Sequence, residues 1–238
     1  MEKRKPVPVQ KKLKLRRQVS ETLGLGLLLA LSGGLMDAYS YLFRGQVFAN
    51  AQTGNILLLS VHVSQGEWAA ALQYLCPVAA FAGGILISVV IRHWFLPRPG
   101  LHWRQAGVLA ELILLALVAW IPQQANLLAN SLISLACGFQ VETFRKINGN
   151  SISTTMCIGN LRSALHAAAE FGFTGAKEER TRAILYFVVI LAFGAGAVLG
   201  NQLIRLWQSY AILCSSGLLL VCFGLMFLDP EHPDQPTR

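Results

Sequence analysis

Six stretches of this chain run for about twenty residues each with almost no charge: roughly 22–43, 71–95, 105–122, 125–147, 182–204 and 208–228. About twenty apolar residues form a helix as long as the hydrocarbon layer of a bilayer is thick. Composition agrees. Apolar residues make up 54% of the chain and charged residues 13%, about half the share in an ordinary globular domain. A soluble fold with so little charge could not cover its own surface. The sequence therefore predicts an integral membrane protein, all-α, built as a polytopic helical bundle, because helices satisfy every backbone group inside lipid.

The net charge of +8 is a matter of position. Eight of the twenty Lys and Arg residues stand in the first seventeen, from Lys3 to Arg17, directly before the first apolar run. That is where the positive-inside rule puts cytoplasmic charge, and anionic lipid is the partner such an arm attracts. Nineteen residues do not hold a folded basic module, so nucleic acid is not expected as a partner. A basic leader followed by Leu25 to Leu31 also fits a signal peptide loosely, with Ala30 and Ser32 as small residues. The basic region is long, however, and the apolar run continues past Ser32, which favours an uncleaved first span. The C-terminal end from Asp229, with Pro230, Pro233 and Pro236, reads as a short disordered tail.

Two further segments, 47–63 and 151–169, look helical but are shorter and polar at their starts. Asn50, Gln52, Thr53 and Asn55 mark the first; Ser151, Ser153, Thr154, Thr155 and Asn160 mark the second. Overlaying the halves 105 residues apart sets Gly33 on Gly138, Asp37 on Glu142, Tyr39 on Phe144, Gly54 on Gly159 and Asn55 on Asn160. With seven more residues in the loop, Ala80 to Gly84 falls on Ala192 to Gly196. The expectation is an arm (1–19), two membrane repeats (20–122 and 123–228) and a tail (229–238).

Loop charge sets the topology. Arg92, His93, Arg98, His102 and Arg104 form a basic loop, whereas Pro122-Gln123-Gln124 is neutral. Eight crossings would put the basic loop outside. If the two short segments are re-entrant or broken, six crossings remain and these loops take their preferred sides. Arg44 and Arg205 are the exceptions. Both chain ends are then cytoplasmic, and the two halves are inverted relative to each other.

The polar residues of these spans resemble a known family. Gly34-Leu35-Met36-Asp37-Ala38, Phe48 through Thr53-Gly54-Asn55, Gly138-Phe139-Gln140 and Thr154-Thr155 are similar to the recurring stretches of the YoaK-like bacterial membrane proteins, a domain of unknown function. The chain departs from that pattern at Ile158-Gly159-Asn160 and in its longer leader. The resemblance implies a six-span protein of the bacterial inner membrane and brings no substrate with it.

The candidate site must therefore come from the residues. Asp37 lies inside a span, where a carboxylate costs about 2.5–3.5 kcal/mol. It is either a proton or cation site, with Glu142 as its counterpart, or a partner of Arg44, Arg145 or Arg162, or a cap on a broken helix. Glu142 precedes Arg145 by three residues and could simply pair with it. Thr53-Gly54-Asn55 and its counterpart can break a helix and satisfy the freed backbone; broken pairs in inverted repeats commonly form midplane sites. The alternative is a contact between Asn55 and Asn160 that only holds two short helices together. The full candidate set is Asp37, Asn50, Gln52, Thr53, Gly54 and Asn55 with Gln140, Glu142, Thr154, Thr155, Gly159 and Asn160. Glu111 is expected to snorkel or to form an ion pair, and His62 and His166 to sit at the interface.

Other chemistry is unsupported. The five cysteines are odd in number, lie in apolar runs and lack metal spacing. Gly194 to Gly200 lies in an apolar helix with no preceding strand, so helix packing fits it better than a nucleotide loop. No catalytic motif stands out, and no cofactor is expected. The reading is a membrane carrier or channel for a small solute or ion, coupled to protons through Asp37, and not an enzyme. The alternatives are a scaffold or lipid-binding protein, then a membrane enzyme. A homo-oligomer is compatible with the sequence but not specified by it.

Overall fold

The computed structural model describes residues 21–95 and 102–228. The basic arm, Arg98 and the C-terminal tail lie outside the described residues. Eight helices appear where the hydropathy pattern puts them: α1 (Leu23–Phe43), α2 (Gln52–Gln65), α3 (Trp68–Phe95), α4 (Trp103–Val118), α5 (Asn126–Thr143), α6 (Cys157–Thr174), α7 (Lys177–Trp207) and α8 (Leu213–Leu228). The two polar segments become α2 and α6: Asn50 precedes α2, and Ser151, Ser153, Thr154 and Thr155 precede α6, whereas Gln52, Thr53 and Asn55 lie in the first turn of α2 and Asn160 in that of α6. A two-residue hairpin, β1 (Lys146–Ile147) and β2 (Asn150–Ser151), interrupts the all-α plan. Its turn is Asn148-Gly149, both at positive φ, the pair that a tight two-residue turn demands.

Among the described residues three stretches are long and apolar enough to cross a membrane: Leu23–Phe43, Trp68–Trp94 and Lys177–Phe227, the last containing α7, a 3₁₀ turn and α8. By contrast, α4 has 16 residues and α2 has 14. At 1.5 Å per residue these are roughly 24 and 21 Å long.

Two helix pairs carry the closest packing, α1 on α7 and α3 on α5. Glycine makes both possible. A Cβ on Gly34 would strike the Phe193 carbonyl, and one on Gly196 the Leu31 carbonyl. At the other crossing Gly84 lies against the Leu135 carbonyl and Gly138 against that of Phe81. Small residues that let backbones touch are how helices associate where water gives no hydrophobic drive. The glycine stretch in α7 is thus a packing surface at Gly196 and Gly200, while Gly194 faces open space.

The central core joins α1, α4, α5 and α8, with Leu29, Met36, Val108, Leu115, Ile133 and Leu219 fully or almost fully buried. The outer faces of the bundle are apolar. Leu57, Leu86, Ile158, Leu191 and Leu220 are all more than half exposed, as a surface in contact with lipid requires.

Hydrogen bonds fix the ends. At one end Arg44 reaches Pro122 and Val118, and Tyr39 donates to the Ser209 carbonyl, so the α1 terminus meets the α4–α5 and α7–α8 connections. At the opposite end Arg104 pairs with Glu21 at 3.5 Å, Asn148 donates to the Glu21 carbonyl and Gln105 to the Met226 carbonyl.

Candidate functional site

After α1 the chain does not leave the bundle. It turns at Gly45-Gln46, both at positive φ, and runs back along the helix it has just completed. Successive anchors climb α1. Gln46 donates to the Tyr41 carbonyl at 3.0 Å, Ala49 to Ser40 Oγ at 3.1 Å and Asn50 to Asp37 Oδ1 at 2.8 Å. Asn50 Nδ2 then donates to the Gly33 carbonyl at 3.0 Å. Gly33 is near the middle of α1, so Asn50 is held about halfway along it, and α2 starts from there.

The second half arrives at the same place. The Thr154 carbonyl lies 3.0 Å from where a Gly33 Cβ would stand, and the Thr155 methyl 3.4 Å away. Gln140 Nε2 donates to the Leu29 carbonyl at 3.0 Å and to Thr154 Oγ1 at 2.8 Å. Leu29, Gly33 and Asp37 follow one another at four-residue spacing and share one stripe of α1. Along that stripe stand the Gln140 amide, the Asn50 amide and the Asp37 carboxyl, each about one turn from the next.

Both amides are oriented by necessity. Each nitrogen is committed to a carbonyl of α1, which can only accept, so each amide oxygen must face away from that bond. Asn50 Oδ1 and Gln140 Oε1 are buried with no hydrogen-bond partner among the described residues. Asp37 is half-buried and makes no ion pair among those residues; it accepts the backbone N–H just before α2. Of its structural alternatives, pairing with Arg44 fails and the cap on the broken segment survives. Arg44 is fully buried and spends its donors on the Tyr39 hydroxyl, Asn126 Oδ1 and the two carbonyls named above.

Other candidate residues fall away from this convergence. Glu142 stands beside Arg145 at 3.7 Å, the three-residue pair its spacing suggested. Thr53 is exposed and Gln52 Nε2 donates to the Ala49 carbonyl. Asn55 and Asn160 do not hold each other. Asn55 closes a loop on Phe48, accepting from its N–H at 3.1 Å and donating to its carbonyl at 2.7 Å. Asn160 closes the same loop on Ser153, at 3.2 and 2.6 Å. Gly54 leaves room for the Phe48 ring, which a Cβ would approach at 2.9 Å. Gly159 is exposed and touches nothing.

A half-open cavity of about 840 Å³ flanks the second loop. Ser153, Gly159 and Asn160 line it together with Arg162, His166 and, from the start of α7, Glu179 and Arg182. Its lining comes from the second half alone. His62 stacks on Tyr74 and contacts Glu67 at 2.6 Å, closing the end of α2.

Two residues gain importance that sequence reasoning did not give them. Arg44 broke the loop-charge pattern, and that exception was its signal. Among the described residues Glu111 neither snorkels nor pairs: it is fully buried, and both carboxyl oxygens lack hydrogen-bond partners there. No group of three or more potential metal ligands occurs among the described residues.

The profile of a family described as "Protein of unknown function (DUF1275)" matches residues 25–225. The UPF0700 transmembrane protein YoaK of Bacillus subtilis (strain 168) is 25% identical over 181 residues, covering 72% of this chain and 79% of that protein. No solved structure matches the chain. Apolar exterior, glycine-mediated crossings and this family match agree, and the chain is a transmembrane member of the DUF1275 family.

Proposed function

We propose that the protein moves a small solute or ion across the bacterial inner membrane by alternating access, coupled to protons at Asp37. One observation carries the reading. Two amide oxygens and a carboxyl, contributed from both halves of the chain, stand on one stripe at the middle of α1, and the two oxygens are buried without partners. An unmatched buried acceptor costs about 1–3 kcal/mol, and a donor-bearing or cationic ligand would remove that cost. The site narrows to Asp37, Asn50, Gln140, Thr154 and Thr155. Asn55 and Asn160 are positioning residues that shape the two loops.

The architecture that goes with this reading has six crossings, two re-entrant loops and inverted halves. The matched asparagine loops support it: Phe48 to Asn55 and Ser153 to Asn160 are the same construction 105 residues apart. So do the matched packings, since exchanging the halves turns the α1–α7 pair into the α5–α3 pair. Both short helices end on a glycine in left-handed geometry, Gly66 and Gly175. The basic residues near Arg104 and the neutral turn at Pro122 lie at opposite ends of α4, with the basic end as the cytoplasmic one. The cavity beside α6 brings Arg162, His166, Glu179 and Arg182 next to the second loop, which supports a polar environment there.

The test is proton flux in proteoliposomes loaded with a pH-sensitive dye. Wild-type protein is expected to dissipate an imposed pH gradient. Asp37→Asn keeps the hydrogen bond from Asn50 and the fold, checked by gel-filtration profile, and is expected to lose the flux. Equal flux from both proteins, or none from the wild type, overturns proton coupling at Asp37.

A further inference from the structure

The most costly group in the described chain is not at the α1 stripe. Glu111 lies in the body of α4, at 0% exposure, with neither carboxyl oxygen hydrogen-bonded. It faces the core shared by α4, α5 and α8. Cys137 on α5 and Cys222 on α8 are the titratable groups within its electrostatic reach. Thiols are poor counter-charges and weak donors.

The other elements packed on α4 offer nothing better. From α3, Arg92 is turned to the Trp103 ring at the helix start. In the 3₁₀ turn after α7, Tyr210 packs on Trp120 beyond the far end. On α5, Glu142 is beside Arg145. Among the described residues no cation is hydrogen-bonded to the Glu111 carboxyl.

An ionised carboxylate buried without a cation or a hydrogen bond is strongly disfavoured in such a core; it takes up a proton instead. A permanently neutral residue of the same shape would do the packing without that demand. The two helices that carry these thiols also hold polar atoms that packing does not use: Ser134 Oγ on α5 and Ser216 Oγ on α8 are buried without partners among the described residues. Ser134 precedes Cys137 by three residues, on the same side of α5.

We propose that Glu111 is a second proton-binding site, enclosed by α4, α5 and α8 and distinct from the α1 stripe. It binds its proton in the closed core and releases it only where that core is opened to water. The proposal does not depend on solute movement, and a protein that carries nothing would still show it.

The sign of the effect follows from the burial. Ionising Glu111 inside the core is unfavourable, whereas the opened chain ionises it in water freely. Stability is therefore fullest at low pH and falls as pH rises. The experiment compares thermal unfolding of the full-length protein in detergent, wild type against Glu111→Gln, from pH 5 to pH 9. Glutamine keeps the shape and removes the titration. The wild-type Tm is expected to fall by about 5 °C more than that of the variant across this range. Parallel profiles overturn the proposal.

A second measurement covers a variant that fails to fold. Dicyclohexylcarbodiimide, an apolar reagent, adds to protonated carboxyls in apolar surroundings. Trypsin separates Asp37, in a fragment ending at Arg44, from Glu111, in the fragment Gln105–Arg145. Fragment-ion spectra then distinguish Glu111 from Glu142. Label on Glu111 that declines at least tenfold from pH 6 to pH 9 supports the site; label on Asp37 with none on Glu111 overturns it. Loss of flux in Asp37→Asn bears on the other site only, so the two claims fail separately.

Discussion

Arg44 shows how a single side chain sets the geometry of a membrane fold. Its guanidinium bonds to groups on α1, α4 and the start of α5, and its own carbonyl accepts from Asn130 Nδ2 at 2.7 Å. Such a fork of donors suits arginine, and an ammonium cannot reproduce it. Arg44→Ala is expected to cost about 3 kcal/mol, read as a Tm lower by roughly 5–10 °C in detergent. Arg44→Lys is expected to recover less than half of that, and full recovery would mean that charge alone matters there. Asn55 and Asn160 predict a matched pair of effects. Each alanine substitution leaves one backbone N–H and one carbonyl without their partner, so each should lower Tm by a similar amount. Legibility at this scale was uneven. A lone carboxyl or amide in an apolar run is visible in sequence because lipid penalises it, and Asp37, Asn50 and Gln140 stand out for that reason. The asparagine loops were half legible, since the repeat aligned Asn55 with Asn160 but gave no hint that each bonds to its own chain seven residues back. Glu111 was misjudged because sequence does not say how deep a helix sits or what covers it.

Helices behave as the hydropathy pattern leads one to expect, and their contacts depend on particular glycines. Gly84 and Gly138 touch each other's helix across the α3–α5 crossing, whereas Gly83 has only a Leu135 methyl at 3.8 Å. Gly84→Val or Gly138→Val is therefore expected to destabilise the protein by several kcal/mol, while Gly83→Ala stays within about 0.5 kcal/mol of wild type. The same contrast is expected on α7 between Gly196 and Gly194, where nothing lies within 4 Å of the latter. Thermal scans of these variants check this; equal losses at Gly83 and Gly84 would contradict the crossing geometry. Sequence located all eight helices because the period and length of apolar runs are local properties. It could not say which glycine of a run faces a neighbour, because that depends on helix rotation. The irregular chain before α2 and α6 was legible as polarity alone. Its path back along α1 is fixed by hydrogen bonds to Ser40, Asp37 and Gly33, which no spacing rule announces.

For the whole molecule, the account rests on where the two short helices end. Six crossings put the turn after α2 on the same side as the neutral turn at Pro122, and the turn after α6 on the side of the basic loop. Eight crossings put the turns after α2 and α6 on one side together. Single cysteines decide between them: Gln65→Cys and Thr174→Cys, both at exposed positions, with Gln123→Cys as reference. They are placed in a chain whose five native cysteines have been replaced, and treated on intact cells with a membrane-impermeant maleimide. Gln65→Cys and Gln123→Cys are expected to react from outside, and Thr174→Cys only in inverted vesicles. Reaction of Gln65→Cys and Thr174→Cys from the same face would contradict the inverted, re-entrant arrangement on which the proposed site depends.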